Sequence, residues 1–66
     1  MTIILNGEKF ELVESSTISD LLKLLDLHPQ GVAVEHNRHI INKAKYDETI
    51  LKENDRVEIV HFVGGG

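Results

Sequence analysis

A single helical pattern stands among several strand patterns, and this combination restricts the fold more than any other feature of the sequence. Four apolar residues repeat at the spacing i, i+3, i+4 and i+7: Ile18, Leu21, Leu22 and Leu25. The spacing predicts a helix of about ten residues with one apolar stripe. Thr17 and Asp20 have the spacing of a capping box at its start, whereas Pro29 and Gly31 prevent it from continuing. One such helix covers one face of a sheet, which predicts an α+β domain.

Two strand patterns, separated by a turn signal, precede the helix. Residues 2–6 are apolar and β-branched, and residues 8–13 alternate between apolar and polar side chains. Asn6-Gly7 between them is typical of a type I′ turn, because both residue types tolerate a positive φ. Residues 1–13 are therefore predicted to form an antiparallel hairpin.

Three further strand patterns follow the helix. Residues 32–34 and 39–42 flank Asn37-Arg38, which is a plausible turn, and residues 56–63 form the longest unbroken pattern. The predicted order is strand-strand-helix-strand-strand-strand. The residues that we expect in the core have the inward-facing phase: Ile3, Leu5, Phe10, Leu12, Leu21, Leu22, Leu25, Val32, Val34, Val57 and Ile59.

Composition excludes several classes of protein. The 66 residues provide for one small domain, and the absence of cysteine excludes disulfides and thiolate metal sites. The formal net charge of −4 argues against a nucleic-acid or anionic-membrane partner. The four histidines match no metal-ligand spacing, so no metal site is predicted. Because no apolar run is long enough to cross a membrane and no signal-peptide pattern is present, we expect a cytoplasmic protein.

The last three residues, Gly64-Gly65-Gly66, carry the chemical prediction. A segment without Cβ atoms is thin and conformationally free, so it is suited to entering a narrow channel in another protein. Residues 1–66 are predicted to be one domain, with residues 63–66 as a flexible tail. A free carboxylate at Gly66 becomes reactive only after a partner adenylates it. Since the chain has no phosphate-binding glycine loop, we expect a carrier that binds no cofactor and has no catalytic residue, not an enzyme.

An apolar patch is predicted on the sheet face that points away from the helix. Val60 and Phe62 share that face with Glu58 in the last strand, and Ile4 alternates with core-facing neighbours in the first. Such a patch next to the tail suits the docking of partner enzymes, and acidic residues around it would steer it toward basic surfaces. The alternative is scattered surface hydrophobicity and an incidental tail, in which case the chain is a plain interaction module.

This arrangement resembles the ThiS family, the β-grasp sulfur carriers of thiamine biosynthesis. The resemblance covers the whole chain and is carried by the Asn6-Gly7 hairpin, the helix capped by Thr17 and the ending Gly65-Gly66. It implies a β-grasp, ubiquitin-like fold, in which a mixed sheet of four to five strands has one main helix packed on one face.

The resemblance also implies a reaction sequence at Gly66. An adenylyltransferase of the ubiquitin-activating type uses ATP to form an acyl-adenylate, and a persulfide derived from a cysteine desulfurase converts the carboxylate to a thiocarboxylate. Thiazole synthase then receives the sulfur. The small subunit of molybdopterin synthase and other thiocarboxylate carriers are alternatives on the same fold. A ubiquitin-like protein modifier is a further alternative, although His61-Phe62-Val63 stands where ubiquitin has a basic stretch.

Overall fold

The computed structural model describes residues 1–62, so the predicted tail at residues 63–66 lies outside the described residues. The strands are β1 (Thr2–Leu5), β2 (Glu8–Glu11), β3 (Val32–His36), β4 (His39–Ile40) and β5 (Arg56–His61), and the helix is α1 (Ile18–Leu24). Short 3₁₀ turns occupy Pro29–Gly31 and Lys43–Lys45. The order of strands and helix is the predicted one.

The five strands form one mixed sheet in the order β2-β1-β5-β3-β4. The central strand β5 pairs in parallel with β1 and antiparallel with β3, while β2 and β4 are antiparallel edge strands. The helix α1 contributes Ile18, Leu21 and Leu22 to the buried core. The prediction of an α+β fold, with a mixed sheet of four to five strands and one main helix, is confirmed.

Two tight turns join the antiparallel strand pairs. Asn6 and Gly7 have φ angles of 50° and 85°, and Asn37 and Arg38 have φ angles of 51° and 74°. Two consecutive positive φ angles define the type I′ turn, whose twist matches that of the flanking strands. Each turn fixes the register of its pair, so that Leu5 lies opposite Glu8 in the first hairpin. Both predicted turns are confirmed.

The helix α1 begins as predicted and ends earlier than predicted. The Asp20 N–H donates to Thr17 Oγ1 at 3.1 Å, and the Thr17 N–H donates to the Asp20 carboxylate at 3.0 Å. At the other end Asp26 is left-handed, with φ 60°, and the Leu27 N–H donates to the Leu22 carbonyl at 2.8 Å. This Schellman arrangement ends the helix after seven residues, before the proline is reached.

Most of the predicted core is confirmed. The buried apolar residues are Ile3, Leu12, Ile18, Leu21, Leu22, Val32, Val34, Tyr46, Leu51 and Val57. Four residues predicted for the core are only partly buried against it: Leu5, Phe10, Leu25 and Ile59. Ile18, Tyr46 and Leu51 are absent from the predicted core. The last two lie in the irregular segment between β4 and β5, which has no periodic pattern to reveal their burial.

Ile18→Val is expected to lower the free energy of unfolding by about 0.5–1.5 kcal/mol, because it leaves a methyl-sized gap in a packed core. Ile18 is fully buried at the start of α1. Ile50→Val is a matched control, since Ile50 is 52% exposed and forms an isolated β-bridge with Thr17, the residue before Ile18. The control should change stability by less than about 0.5 kcal/mol in urea denaturation. Equal losses in the two variants would contradict the packing argument.

Candidate functional site

The strand β5 connects the middle of the sheet to the glycine-rich end of the sequence. Its register with β3 extends over five residue pairs, from His36 opposite Val57 to Val32 opposite His61. The Phe62 N–H continues this pairing, donating to the Gly31 carbonyl at 2.9 Å. The strand is therefore held along one side as far as the last described residue. Phe62, the last described residue, is thus fixed at one end of the sheet.

A polar cluster holds the start of β5. Asp55 accepts hydrogen bonds from His36 Nε2 at 2.6 Å, from Asn37 Nδ2 at 3.2 Å and from the Lys52 N–H at 2.9 Å. The Asn37 side-chain oxygen in turn accepts the Arg56 N–H at 2.8 Å. The side chains of Asp55 and His36 are mostly shielded, with 14% and 18% exposed. This network joins the β3–β4 turn to the first residue of β5.

The cluster predicts how stability depends on pH. Burial raises the pKa of the Asp55 carboxyl group, but hydrogen bonds from His36, Asn37 and the Lys52 N–H, with the charge of His36, bring it below its ordinary value. A carboxylate whose folded pKa is depressed contributes stability above its unfolded pKa, and this contribution is lost as the pH falls through the folded pKa. We therefore expect the free energy of unfolding to decrease as the pH is lowered past about 4, which is the pKa of an aspartate in an unfolded chain.

Urea denaturation at a series of pH values checks this dependence. Asp55→Asn should lower stability at neutral pH and flatten the loss on acidification, because the variant has no carboxylate to protonate there. Glu8→Gln makes the same change of charge at an exposed position, so it should keep the acid dependence of the wild type. If Asp55→Asn and the wild type lost unfolding free energy at the same rate on acidification, Asp55 would not be the cause of the acid dependence.

The sheet face opposite the core is formed by alternate residues of the strands. Because Val57 is buried, its neighbours Arg56 and Glu58 point to the other face, and Val60 follows them. The register places Ile4 beside Arg56, and Ala33 beside Val60. We call this surface the open face.

The predicted docking residues occupy this face to different extents. Val60 is 60% exposed, Phe62 is 58% exposed, and Glu58 is exposed. Ile4 is half-buried, between the register positions of Lys9 and Arg56 on the neighbouring strands. The geometry thus brings the four residues to one face, with the two most exposed apolar ones, Val60 and Phe62, at the end of β5.

Two further residues belong to this region and were missed in the sequence. Ile40 in β4 is 79% exposed and lies opposite Glu35, so it shares the open face with Val60. The two-residue turn at Asn37-Arg38 could have revealed it, because such a turn fixes the register of the hairpin. Lys43 Nζ lies 5.6 Å from the centre of the Phe62 ring. No local signal joins two residues so distant in the sequence.

The open face carries an unfavourable pair of charges. Glu35 and Glu58 lie directly opposite each other on β3 and β5, where like charges repel. Neither carboxylate has an ion-pair partner among residues 1–62. A basic partner surface would be complementary to this pair of acidic residues.

The described residues provide little for chemistry of their own. Within residues 1–62, no three His, Cys, Asp or Glu side chains form a group that could hold a metal ion. No helix in this part of the chain has the length and apolar character needed to cross a membrane. The predicted reactive residue, Gly66, and the predicted threading residues, Gly64 and Gly65, lie outside the described residues.

Comparison with known proteins identifies relatives of two kinds. The sulfur carrier protein ThiS of Bacillus subtilis is 49% identical over 53 residues, which cover 80% of each chain. A thiazole synthase of Magnetococcus marinus is 41% identical over all 66 residues, which span only 20% of that relative's length. The crystal structure of a thiamine biosynthesis protein (ThiS) from Geobacter metallireducens matches with a TM-score of 0.85 and 32% identity, over the full length of both chains.

The sheet order, the single helix and this structural match define the class of small β-grasp carrier proteins. The model of the ThiS family matches residues 3–66, nearly the whole sequence. This chain belongs to the ThiS family of sulfur carriers. The family assignment made from the hairpin, the capped helix and the diglycine is confirmed.

Proposed function

We propose that this protein carries sulfur for thiazole formation in thiamine biosynthesis, as a thiocarboxylate on Gly66. The single observation that carries the proposal is the family match, which extends through Gly64-Gly65-Gly66 on a chain with the β-grasp fold. In this proposal the reactive group is the carboxylate of Gly66. A carboxylate of this kind has to be activated by a partner enzyme.

The proposed chemistry takes place in two stages. In the first, a Gly66 carboxylate oxygen attacks the α-phosphorus of ATP on an adenylyltransferase of the ubiquitin-activating type, and pyrophosphate leaves. In the second, a persulfide sulfur that a cysteine desulfurase has generated attacks the acyl carbon, and AMP leaves. A thiol then cleaves the sulfur–sulfur bond, which leaves a thiocarboxylate on Gly66. The absence of a side chain at Gly66 leaves the carbonyl open to each nucleophile.

The open face is proposed as the docking surface for these enzymes. Val60 and Phe62 present apolar area at the end of β5, and Ile4 adds a half-buried apolar side chain at its other end. Glu58 supplies negative charge beside them, which would speed association with a basic partner surface. Because Gly64-Gly65-Gly66 follow β5 closely in the sequence, docking at the end of β5 would bring the Gly66 carboxylate near the enzyme.

Thiazole synthase is the proposed acceptor of the sulfur. In the Magnetococcus marinus relative, the part similar to this chain belongs to a protein named thiazole synthase. Covalent linkage of a carrier to its acceptor raises their effective concentration. Separate proteins would have to bind each other to come equally close, so the fused relative supports thiazole synthase as the binding partner of this chain.

Intact mass spectrometry of the untagged protein from thiamine-starved cells tests the proposal. We expect a fraction of the protein to gain the mass that replaces one oxygen by sulfur, with fragment ions placing the change at Gly66. Growth with added thiamine is the control and should reduce that fraction. Isopeptide adducts between Gly66 and lysines of other proteins would instead indicate a protein modifier, and an unaltered mass in starved cells would contradict the carrier assignment.

A further inference from the structure

The two sides of β5 are held in different ways. Pairing with β1 ends where Leu5 lies beside Val57, although β5 continues to His61. On this side Asn6 takes over from β1. Its N–H donates to the Val57 carbonyl at 2.9 Å, and its side-chain oxygen accepts the Ile59 N–H at 2.8 Å. Within residues 1–62, the hydrogen bonds on this side of β5 end at Ile59.

The side chain of Asn6 has a role that its turn does not require. The first position of the turn needs a residue that tolerates a φ of 50°, and glycine tolerates it as well as asparagine. The side-chain oxygen is used instead on β5, 53 residues away in the sequence. A substitution at Asn6 can therefore keep the turn and remove the hydrogen bond to the Ile59 N–H, which we call the clamp on β5.

We propose that Asn6 is a positioning residue for the C-terminal segment, residues 63–66: by holding Ile59, it fixes the orientation of the end of β5, from which that segment continues. This inference rests on the proposed function, in which a carboxylate beyond that point has to meet a nucleotide in a partner. A strand that is held on both sides as far as Ile59 limits the directions in which residues 63–66 can continue from it. When residues 63–66 have fewer directions available, a docked carrier holds its carboxylate in the reactive position for a larger fraction of the time.

The effect should appear in the chemical step more than in docking. The open face is unchanged by substitution of Asn6, so the KM of the adenylyltransferase for the carrier should stay within about twofold. Asn6→Gly should lower kcat by about threefold to tenfold, because more conformations of the docked carrier are unproductive. Asn6→Asp keeps an acceptor oxygen and tolerance of a positive φ, so it should restore most of kcat.

The other tight turn supplies a matched control. Asn37 also opens a two-residue turn, and its side-chain oxygen also accepts a backbone N–H of β5 at 2.8 Å, from Arg56. Arg56 is the first residue of β5, at the end far from the glycine segment. Asn37→Gly removes this equivalent hydrogen bond and also the one that Asn37 Nδ2 donates to Asp55, so it should lower stability at least as much as Asn6→Gly but leave kcat within about twofold.

The experiment measures ATP–pyrophosphate exchange by the adenylyltransferase of the same organism, with each carrier variant varied in concentration. Amide hydrogen exchange of the free carrier is measured in parallel and should show lost protection at Ile59 in Asn6→Gly only. Unchanged kcat in Asn6→Gly, equal kcat losses in the two glycine variants, or unchanged Ile59 protection would each overturn the inference. If the wild type supports no pyrophosphate exchange, the proposed function fails, and the clamp is judged by Ile59 protection alone.

Discussion

A carrier extended by one alanine beyond Gly66 is expected to lose ATP–pyrophosphate exchange by more than about a hundredfold. The added residue moves the carboxylate by about 3.5 Å, which exceeds the tolerance of a reacting group for its partner atom. The new terminal residue also has a methyl side chain, where Gly66 has none. Steady-state exchange measured with the adenylyltransferase of the same organism checks this result.

The extended variant provides its own control for folding and docking. Its open face is unchanged, so it should melt at the temperature of the unextended protein and should inhibit wild-type exchange as a competitor. Inhibition without turnover would place the defect in the reactive carboxylate. If the extended protein supported exchange at the wild-type rate, the activated group would not be the Gly66 carboxylate.

Local signals account for the parts of the fold that could be predicted. The Asn6-Gly7 turn, the Thr17 cap and the strand alternation each depend on residues within a few positions of one another. The alternation also places Val60 on the open face, since Val57 in the same strand is buried. The family followed from these local features together with the ending Gly65-Gly66.

Contacts between distant residues account for most of what was missed. Tyr46 and Leu51 are buried where the chain crosses from β4 to β5, in a segment whose sequence has no period. Lys43 reaches Phe62, and Asn6 reaches Ile59, through the order of strands in the sheet. That order is a tertiary property, and single-residue patterns do not encode it.

The early end of α1 has a different origin. Leu25 continues the apolar spacing, so periodicity alone extends the helix through it. Asp26 then adopts a left-handed conformation, which asparagine and glycine favour more strongly than aspartate. The apolar spacing through Leu25 therefore competed with a helix stop at Asp26, and aspartate seldom forms such a stop.

Replacing Val60 and Phe62 together by alanine is expected to raise the KM for the carrier in pyrophosphate exchange by about tenfold or more. Both side chains are more than half exposed in the isolated domain, so most of their apolar area is still available for burial in a partner. Stability should fall by less than about 1 kcal/mol, mainly through loss of the contact between Lys43 and the Phe62 ring. Exchange kinetics and urea denaturation of the same preparation check the two expectations.

Val13 provides the matched control for this surface. It is 80% exposed, so it is at least as accessible as Val60, but it follows β2 and belongs to no strand of the open face. Val13→Ala should leave KM within about twofold, because exposure without position on the docking surface contributes nothing to binding. A rise in KM of equal size in Val13→Ala would mean that general surface hydrophobicity, and not the open face, attracts the enzyme. A large loss of stability in the double variant with an unchanged KM would instead assign Val60 and Phe62 to the packing of the sheet.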